Sequence, residues 1–257
     1  MEGHRSLNPG PVSLVLSGGA ARGGFHLGAI KALQEAGFEI KAISGSSIGA
    51  IIGAGISAGL TPDALLEIFT SKELRRVFRF HLFGEGIFKV DPSRPVIRKL
   101  APLARLEDYP IPLFVTAVEA ETGAIRRFHQ GDAVTILLAS AAIAPLFEPI
   151  TYQGVKLIDG GIGDNLPIEP LLDFPYPIIG INLLPNIPKK THWIGGIITR
   201  SLFLAWHSTI RHQIEQCDLY LAPAELSELR MFGFRDIRKG YELGYRTTKK
   251  RLGSLTA

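Results

Sequence analysis

Two serines in this chain sit in a Gly-x-Ser-x-Gly pattern: Ser47 in Gly45-Ser46-Ser47-Ile48-Gly49, and Ser57 in Gly55-Ile56-Ser57-Ala58-Gly59. Such a serine is a nucleophile when a strand enters the turn and a helix leaves it, because the turn lifts the hydroxyl clear of the sheet. Ser47 has that setting. The apolar run Ile40, Ala42, Ile43 leads into it and a small-residue helical pattern follows. Ser57 falls about ten residues into the same helix, next to a helix-stopping Gly59, so no strand feeds it. The glycines around Ser47 remove side chains that would collide with a strained turn. The competing roles for this stretch are a helix N-cap, which Ser44 or Ser46 could also supply, and a membrane span over the uncharged residues 42–62. Four serines and five glycines disfavour the span.

A second chemical feature is Ser17-Gly18-Gly19-Ala20-Ala21-Arg22-Gly23-Gly24, between a strand-like Val12–Leu16 and a helix expected over Phe25–Ala36 and stopped by Gly37. A glycine-rich loop at a helix N-terminus gathers unpaired N–H groups, which makes it an anion site. Counting from Gly18, a dinucleotide fingerprint needs glycine where Ala20 stands, so that frame fails. An oxyanion formed during acyl transfer needs only the donors. Third, the strand-like Val155–Ile158 delivers Asp159 into Gly160-Gly161, where a carboxylate can reach a serine on a neighbouring strand. The plainer reading of Asp159 is a turn closure, and the rival carboxylate Asp164 is expected to cap local structure.

The elements that must hold these groups read as one domain. A chain of 257 residues, 46% hydrophobic, can bury a large core. Leu113–Val118 and Ile125–Phe128 read as a hairpin, Asp132–Ala144 as an apolar helix halted by Pro145, Ile178–Asn182 as a buried strand, and Trp193–Ile214 as an apolar stretch of core, with a lipid-facing surface as the alternative. Arg75–Phe83 interleaves charge with aromatics, which suits a lid or cap within residues 70–105, and Asp236–Arg251 reads as a basic terminal helix. The lone Cys217 excludes an internal disulfide, and the seven histidines show no zinc-site spacing. No apolar segment of signal-peptide length precedes Val12, so a cytoplasmic protein, peripheral to a membrane at most, is expected.

Net charge is +4 but uneven. Residues 70–105 set nine Lys/Arg against Glu73, Glu85 and Asp91, and residues 226–257 set eight against Glu228, Asp236 and Glu242. Such polarity suits an anionic membrane surface. A nucleic-acid groove has a similar composition, but the chain carries no nucleic-acid-binding motif.

Taken together, the motifs resemble those of bacterial patatin-like phospholipases, lipid acyl hydrolases with a Ser–Asp dyad. Ser17–Gly23 is similar to the family's oxyanion loop, Gly45–Gly49 to its nucleophile elbow and Asp159-Gly160-Gly161 to its aspartate motif. Ala139–Pro145, Phe147–Pro149 and Asp164–Pro167 are similar to further family blocks, so the likeness spans about residues 12–183. It departs at Ala20, where the family usually has glycine, and at Ser17, where plant members carry aspartate. An N–H survives the change to alanine and stays a donor here if φ is negative.

The resemblance implies a three-layer α/β fold with a largely parallel central sheet flanked by helices. It implies Ser47 as nucleophile, Asp159 as base, Gly18, Gly19 and Ala20 as oxyanion donors, and Arg22 orienting the loop or a phosphate. No metal or cofactor is called for. The alternatives are an acyltransferase of the malonyl-transferase type, which would want a catalytic histidine, and a membrane-binding module, which would want a broken dyad.

Overall fold

The computed structural model describes residues 7–80, 87–186, 194–231 and 233–254. In chain order the first elements are β1 (Pro11–Leu16), α1 (Gly24–Glu35), β2 (Glu39–Ser46), α2 (Ile48–Ser57), α3 (Pro62–Thr70) and α4 (Lys72–Arg75). There follow β3 (Phe78–Phe80), β4 (Phe88–Val90), α5 (Pro95–Leu100), β5 (Leu113–Glu119), β6 (Ile125–Phe128) and α6 (Ala133–Ser140). The last are β7 (Ile150–Tyr152), β8 (Val155–Asp159), β9 (Ile178–Ile181), α7 (Ile194–Thr209), α8 (Arg211–Glu215), β10 (Leu219–Leu221) and α9 (Ile237–Gly253).

The central sheet runs β10-β9-β1-β2-β5-β8-β7, with β6 also paired to β5. From β10 to β5 every pairing is parallel, while β6 and β8 on β5, and β7 on β8, are antiparallel. Parallel strands must be covered on both faces, and β1 is accordingly buried from Val12 to Leu16, with Val12, Leu14, Val15 and Leu16 fully so. This is the mixed α/β fold, a central sheet flanked by helices, that the motifs imply.

The helix packing with the most intimate backbone approach is α1 on α9. A Cβ on Gly28 would stand 1.9 Å from the Tyr241 carbonyl oxygen, and one on Gly244 would stand 2.2 Å from that of Phe25. Gly24, against the Ile237 carbonyl, and Gly240 lie one turn from these two, so each helix presents a pair of glycines four apart and the backbones nearly touch. The expected basic terminal helix is therefore half structural. One side locks onto the helix that follows the glycine-rich loop, while Arg238 and Lys249 pair with Glu67 and Glu35.

Two expectations are adjusted. The helix expected to run to Ala144 ends at Ser140, where its C-terminus turns five residues before Pro145. The segment 70–105 is largely packed structure, because Leu74, Val77, Val96, Ile97 and Leu100 are buried in the main core. Only the β3–β4 hairpin retains the shape of a cap, and its tip, residues 81–86, lies outside the described residues. Among the described residues no helix is long and apolar enough to cross a membrane.

Candidate active site

The sheet register brings the serine and the aspartate together. Strand β5 lies between β2 and β8, and its consecutive residues Thr116 and Ala117 pair with Ser46 and Asp159 respectively. Ser47 and Asp159 thus leave the sheet at the same level, on strands two spacings, or about 10 Å, apart. The gap is closed by the chain after β8 turning across β5. A Cβ on Gly160 would lie 2.1 Å from the Thr116 carbonyl oxygen and 2.8 Å from Ser46 Oγ, so only glycine permits that crossing.

Ser47 occupies the turn between β2 and α2 with φ 54° and ψ −126°, a conformation an L-residue with a side chain adopts only when its surroundings impose it. Part of that imposition is visible. The Ser47 N–H donates to Ser140 Oγ at 2.9 Å, and the Ser140 hydroxyl donates to the Thr116 carbonyl at 2.6 Å, pinning the elbow to β5. The glycines beside the turn permit close packing: a Cβ on Gly45 would meet the Ala50 nitrogen at 2.7 Å, and one on Gly49 the Leu16 carbonyl oxygen at 2.3 Å. A Cβ on Gly23 would meet Ile48 at 2.7 Å. Ser47 stands at the N-terminus of α2, where the helix dipole favours negative charge.

Asp159 is buried at 2% exposure. Its Oδ1 accepts a 2.8 Å bond from the Gly161 N–H, while Oδ2 is buried with no hydrogen bond fully formed. Burial pushes the carboxyl up to about 6, against the opposing pull of the Ser47 hydroxyl and the Gly161 N–H. A carboxylate with one oxygen unsatisfied and an affinity for protons close to neutrality is suited to take a proton from the hydroxyl facing it.

The glycine-rich loop follows β1 and closes as a 3₁₀ turn, Ala20–Gly23, before α1. A Cβ on Gly18 would stand 3.0 Å from the Ser47 Cβ, so the loop lies against the nucleophile. The three expected donors are not equivalent. The Gly18 N–H is already engaged, donating to Asn165 Oδ1 at 3.1 Å, which leaves Gly19 and Ala20 to face an oxyanion. The condition on Ala20 fails, since its φ is +50°, in the left-handed region that glycine fills at no cost. Its N–H is still present, but the φ under which it was expected to donate is not the one found, and the residue is held at the cost of local strain.

The Arg22 side chain ties the loop to neighbouring segments. Its Nε donates to the Leu229 carbonyl at 2.9 Å, a terminal nitrogen donates to the Leu183 carbonyl at 3.2 Å, and the group stacks over Phe203. Ser17, in place of aspartate, ties the ends of β1 and β9 by accepting from the Leu183 N–H at 2.9 Å.

The remaining candidates fall away by their contacts. The Ser57 hydroxyl, at the far end of α2, donates to the Ile111 carbonyl. Asp164 pairs with Arg127 at 3.0 Å and so fastens the chain after Asp159 to β6. His26 is fully buried and donates from Nε2 to the Ser17 carbonyl at 2.8 Å, and burial pushes its pKa down to about 4. It is neutral, with its one ring proton committed to the loop. Two buried residues that had no assigned role, Ser140 and Asn165, turn out to hold the elbow and the loop. Both lie in the sequence blocks Ala139–Pro145 and Asp164–Pro167.

Comparison with known proteins shows what the chain as a whole is similar to. A family model described as patatin-like phospholipase matches residues 14–172. NTE family proteins of Mycobacterium bovis and Mycobacterium tuberculosis are 32% identical over 162 residues, which is 62% of this chain and 45% of theirs. Lysophospholipase NTE1 of Cryptococcus neoformans is 32% identical over 178 residues, 62% of this chain and 10% of that protein. The chain thus spans less than half the length of the curated relatives it matches. Among solved structures, VipD from Legionella pneumophila superposes with a TM-score of 0.50 at 16% identity, covering 95% of this chain and 67% of that one. The type III effector ExoU gives 0.50 at 16%, covering 96% and 54%. At such identities the two structures speak for the fold alone.

Proposed function

The chain belongs to the patatin-like phospholipase family, and on that premise we propose that it is a serine acyl hydrolase cleaving lipid esters through Ser47 and Asp159. The observation that carries the reading is a buried carboxylate with a free oxygen and a pKa near 6, facing a serine held in a strained strand-to-helix turn.

In the proposed reaction Asp159 takes the hydroxyl proton as Ser47 Oγ attacks the ester carbonyl. The oxyanion forms against the N–H groups of Gly19 and Ala20 and the first turn of α2. The carbon–oxygen bond to the alcohol then breaks, and Asp159 returns the proton to the departing alkoxide. Water attacks the acyl-serine, gives a proton to Asp159 and releases the fatty acid, after which the proton returns to Ser47. The phospholipid or lysophospholipid class follows from the family and from the lysophospholipase among its relatives.

Contact with an anionic membrane is proposed from the basic segments. The two meet in space around one cleft of about 460 Å³, lined by Lys72, Arg75, Arg235 and Arg238 with Glu67, and the Arg75 guanidinium lies 5.5 Å from the centre of the Phe234 ring. The test of the activity is a mass-spectrometric screen of the purified protein against a lipid panel. Free fatty acid and the matching deacylated lipid are expected, both absent with Ser47→Ala. Equal products from the two proteins would reject the reading, and transfer of the acyl group to a second lipid would favour the acyltransferase.

A further inference from the structure

Among the described residues, helix α7 carries one apolar face packed against protein and a second apolar stripe that is exposed. The inner face carries Phe203 and Trp206, each 4% exposed, which pack with Leu184 and Met231. That face touches both halves of the candidate site. A Cβ on Gly161 would stand 3.3 Å from the Trp206 indole nitrogen, and Phe203 stacks under Arg22 of the glycine-rich loop. The outer face is a stripe at positions i, i+3, i+7 and i+10: Ile194 at 73% exposure, Ile197 at 47%, the exposed Ser201, and Leu204 at 44%. Half of the exposed large hydrophobic side chains among the described residues lie on this one helix.

What would cover that face is constrained by size and charge. Sixteen residues make a helix about 24 Å long, shorter than the roughly 30 Å hydrocarbon core of a bilayer, so it can lie in a lipid surface but not span one. A face of that length and about 10 Å width offers about 240 Å², far below the roughly 800 Å² per partner of a stable protein interface, which argues against a second copy. The helix holds no carboxylate, its one full charge is Arg200, and Arg211 follows directly. A lipid surface with anionic headgroups is therefore compatible in charge as well as in depth.

We infer that the outer face of α7 is a docking surface for a phospholipid layer, seating the mouth of the active site on the aggregate that supplies its substrate. The inference rests on the lipid-hydrolase reading for the identity of the substrate, but its primary measurement does not need activity. With Ser47 only 4% exposed, the dyad is almost closed in this structure, and α7 touches the aspartate turn through Trp206 and the loop through Phe203. Docking through its outer face thus acts on a helix whose inner face touches both halves of the site.

The test replaces the stripe with Ile194→Ser, Ile197→Ser and Leu204→Ser together in the full chain. All three are exposed, and an unchanged melting temperature verifies that the fold is kept. Binding is measured by co-sedimentation with vesicles of phosphatidylcholine containing phosphatidylglycerol. Removing three apolar side chains that the lipid would partly bury should lower the partition coefficient about a hundredfold. The ratio of activity on vesicle lipid to activity on a monomeric short-chain ester should fall at least tenfold. Independently, Ile197→Trp should show a blue-shifted emission when vesicles are added. Unaltered vesicle binding by the triple variant, or no shift from the tryptophan, would overturn the proposal. So would a concentration-dependent dimer that the triple variant abolishes, which would make the stripe a subunit contact. Vesicle binding that depends on the stripe, without any ester cleavage by the unmodified protein, would uphold docking and sink the hydrolase reading instead.

Discussion

At the scale of single residues, the site holds a carboxylate where burial makes its charge costly. Asp159 has a folded-state pKa near 6 against an ordinary 3.8, so the folded protein prefers the protonated form. Its contribution is most favourable below about pH 4 and is lost as pH rises through about 6, at a cost of about 3 kcal/mol for a shift of some two units. Two outcomes follow for Asp159→Asn. Its ester hydrolysis should fall at least a hundredfold, the lower end of what removing a base costs. Its urea midpoint should exceed that of the unmodified protein above pH 6 and converge with it near pH 4. The unmodified enzyme should in turn lose activity about tenfold per pH unit below about 6, since only the ionised carboxylate accepts the serine proton.

The limits of reading residues from sequence follow the same logic. Ser47 and Asp159 were legible because each is marked by its immediate neighbours, a glycine turn after a strand. Ser140 and Asn165 were not, because their partners, Ser47 and Gly18, lie 93 and 147 positions away in the chain. The positive φ of Ala20 was equally hidden, since an alanine at a loop position does not announce which side of φ it occupies.

At the scale of elements, strands and helices with a clear period were legible, including the β5–β6 hairpin and the serine elbow between β2 and α2. Their ends and partners were less so. Nothing local to Pro145 reveals that α6 stops at Ser140, and nothing in the composition of α9 reveals that its glycines meet those of α1. That contact makes its own prediction. Gly28→Ala puts a methyl group where the Tyr241 carbonyl sits at 1.9 Å, with no flexible side chain to yield. Overpacking of this kind costs about 1–3 kcal/mol, so calorimetry should show a lowered melting temperature. Gly253→Ala, with nothing within 4 Å of its Cβ position, should be near neutral. Because α1 begins at the glycine-rich loop, the Gly28 variant should also lose ester hydrolysis.

At the scale of the whole molecule, the sequence revealed two basic segments but not that they adjoin. Lys72 and Arg75 of the first segment and Arg235 and Arg238 of the second line one cleft between α3, α4 and the start of α9, so these charges act at one place on the surface. Exposed charges are screened over about 10 Å near 0.1 M salt, and binding to anionic vesicles should weaken steadily as salt rises through that range. Glutamine at Lys72, Arg75 and Arg235 together should flatten the salt dependence. Binding that is indifferent to salt and to lipid charge would assign no electrostatic role to the cleft. The α7 stripe, being apolar, predicts a component of binding that survives high salt, so the two contributions separate in one titration.

All three scales bear on the proposal that the Ser47 Oγ is the nucleophile. The most direct measurement is to treat the purified protein with a fluorophosphonate, digest it and locate the adduct by mass spectrometry. A single phosphonylated peptide carrying the modification at Ser47 is expected, with labelling abolished by Ser47→Ala, retained by Ser57→Ala and slowed at least a hundredfold by Asp159→Asn. An adduct at any other residue, or labelling that persists in Ser47→Ala, would contradict the account.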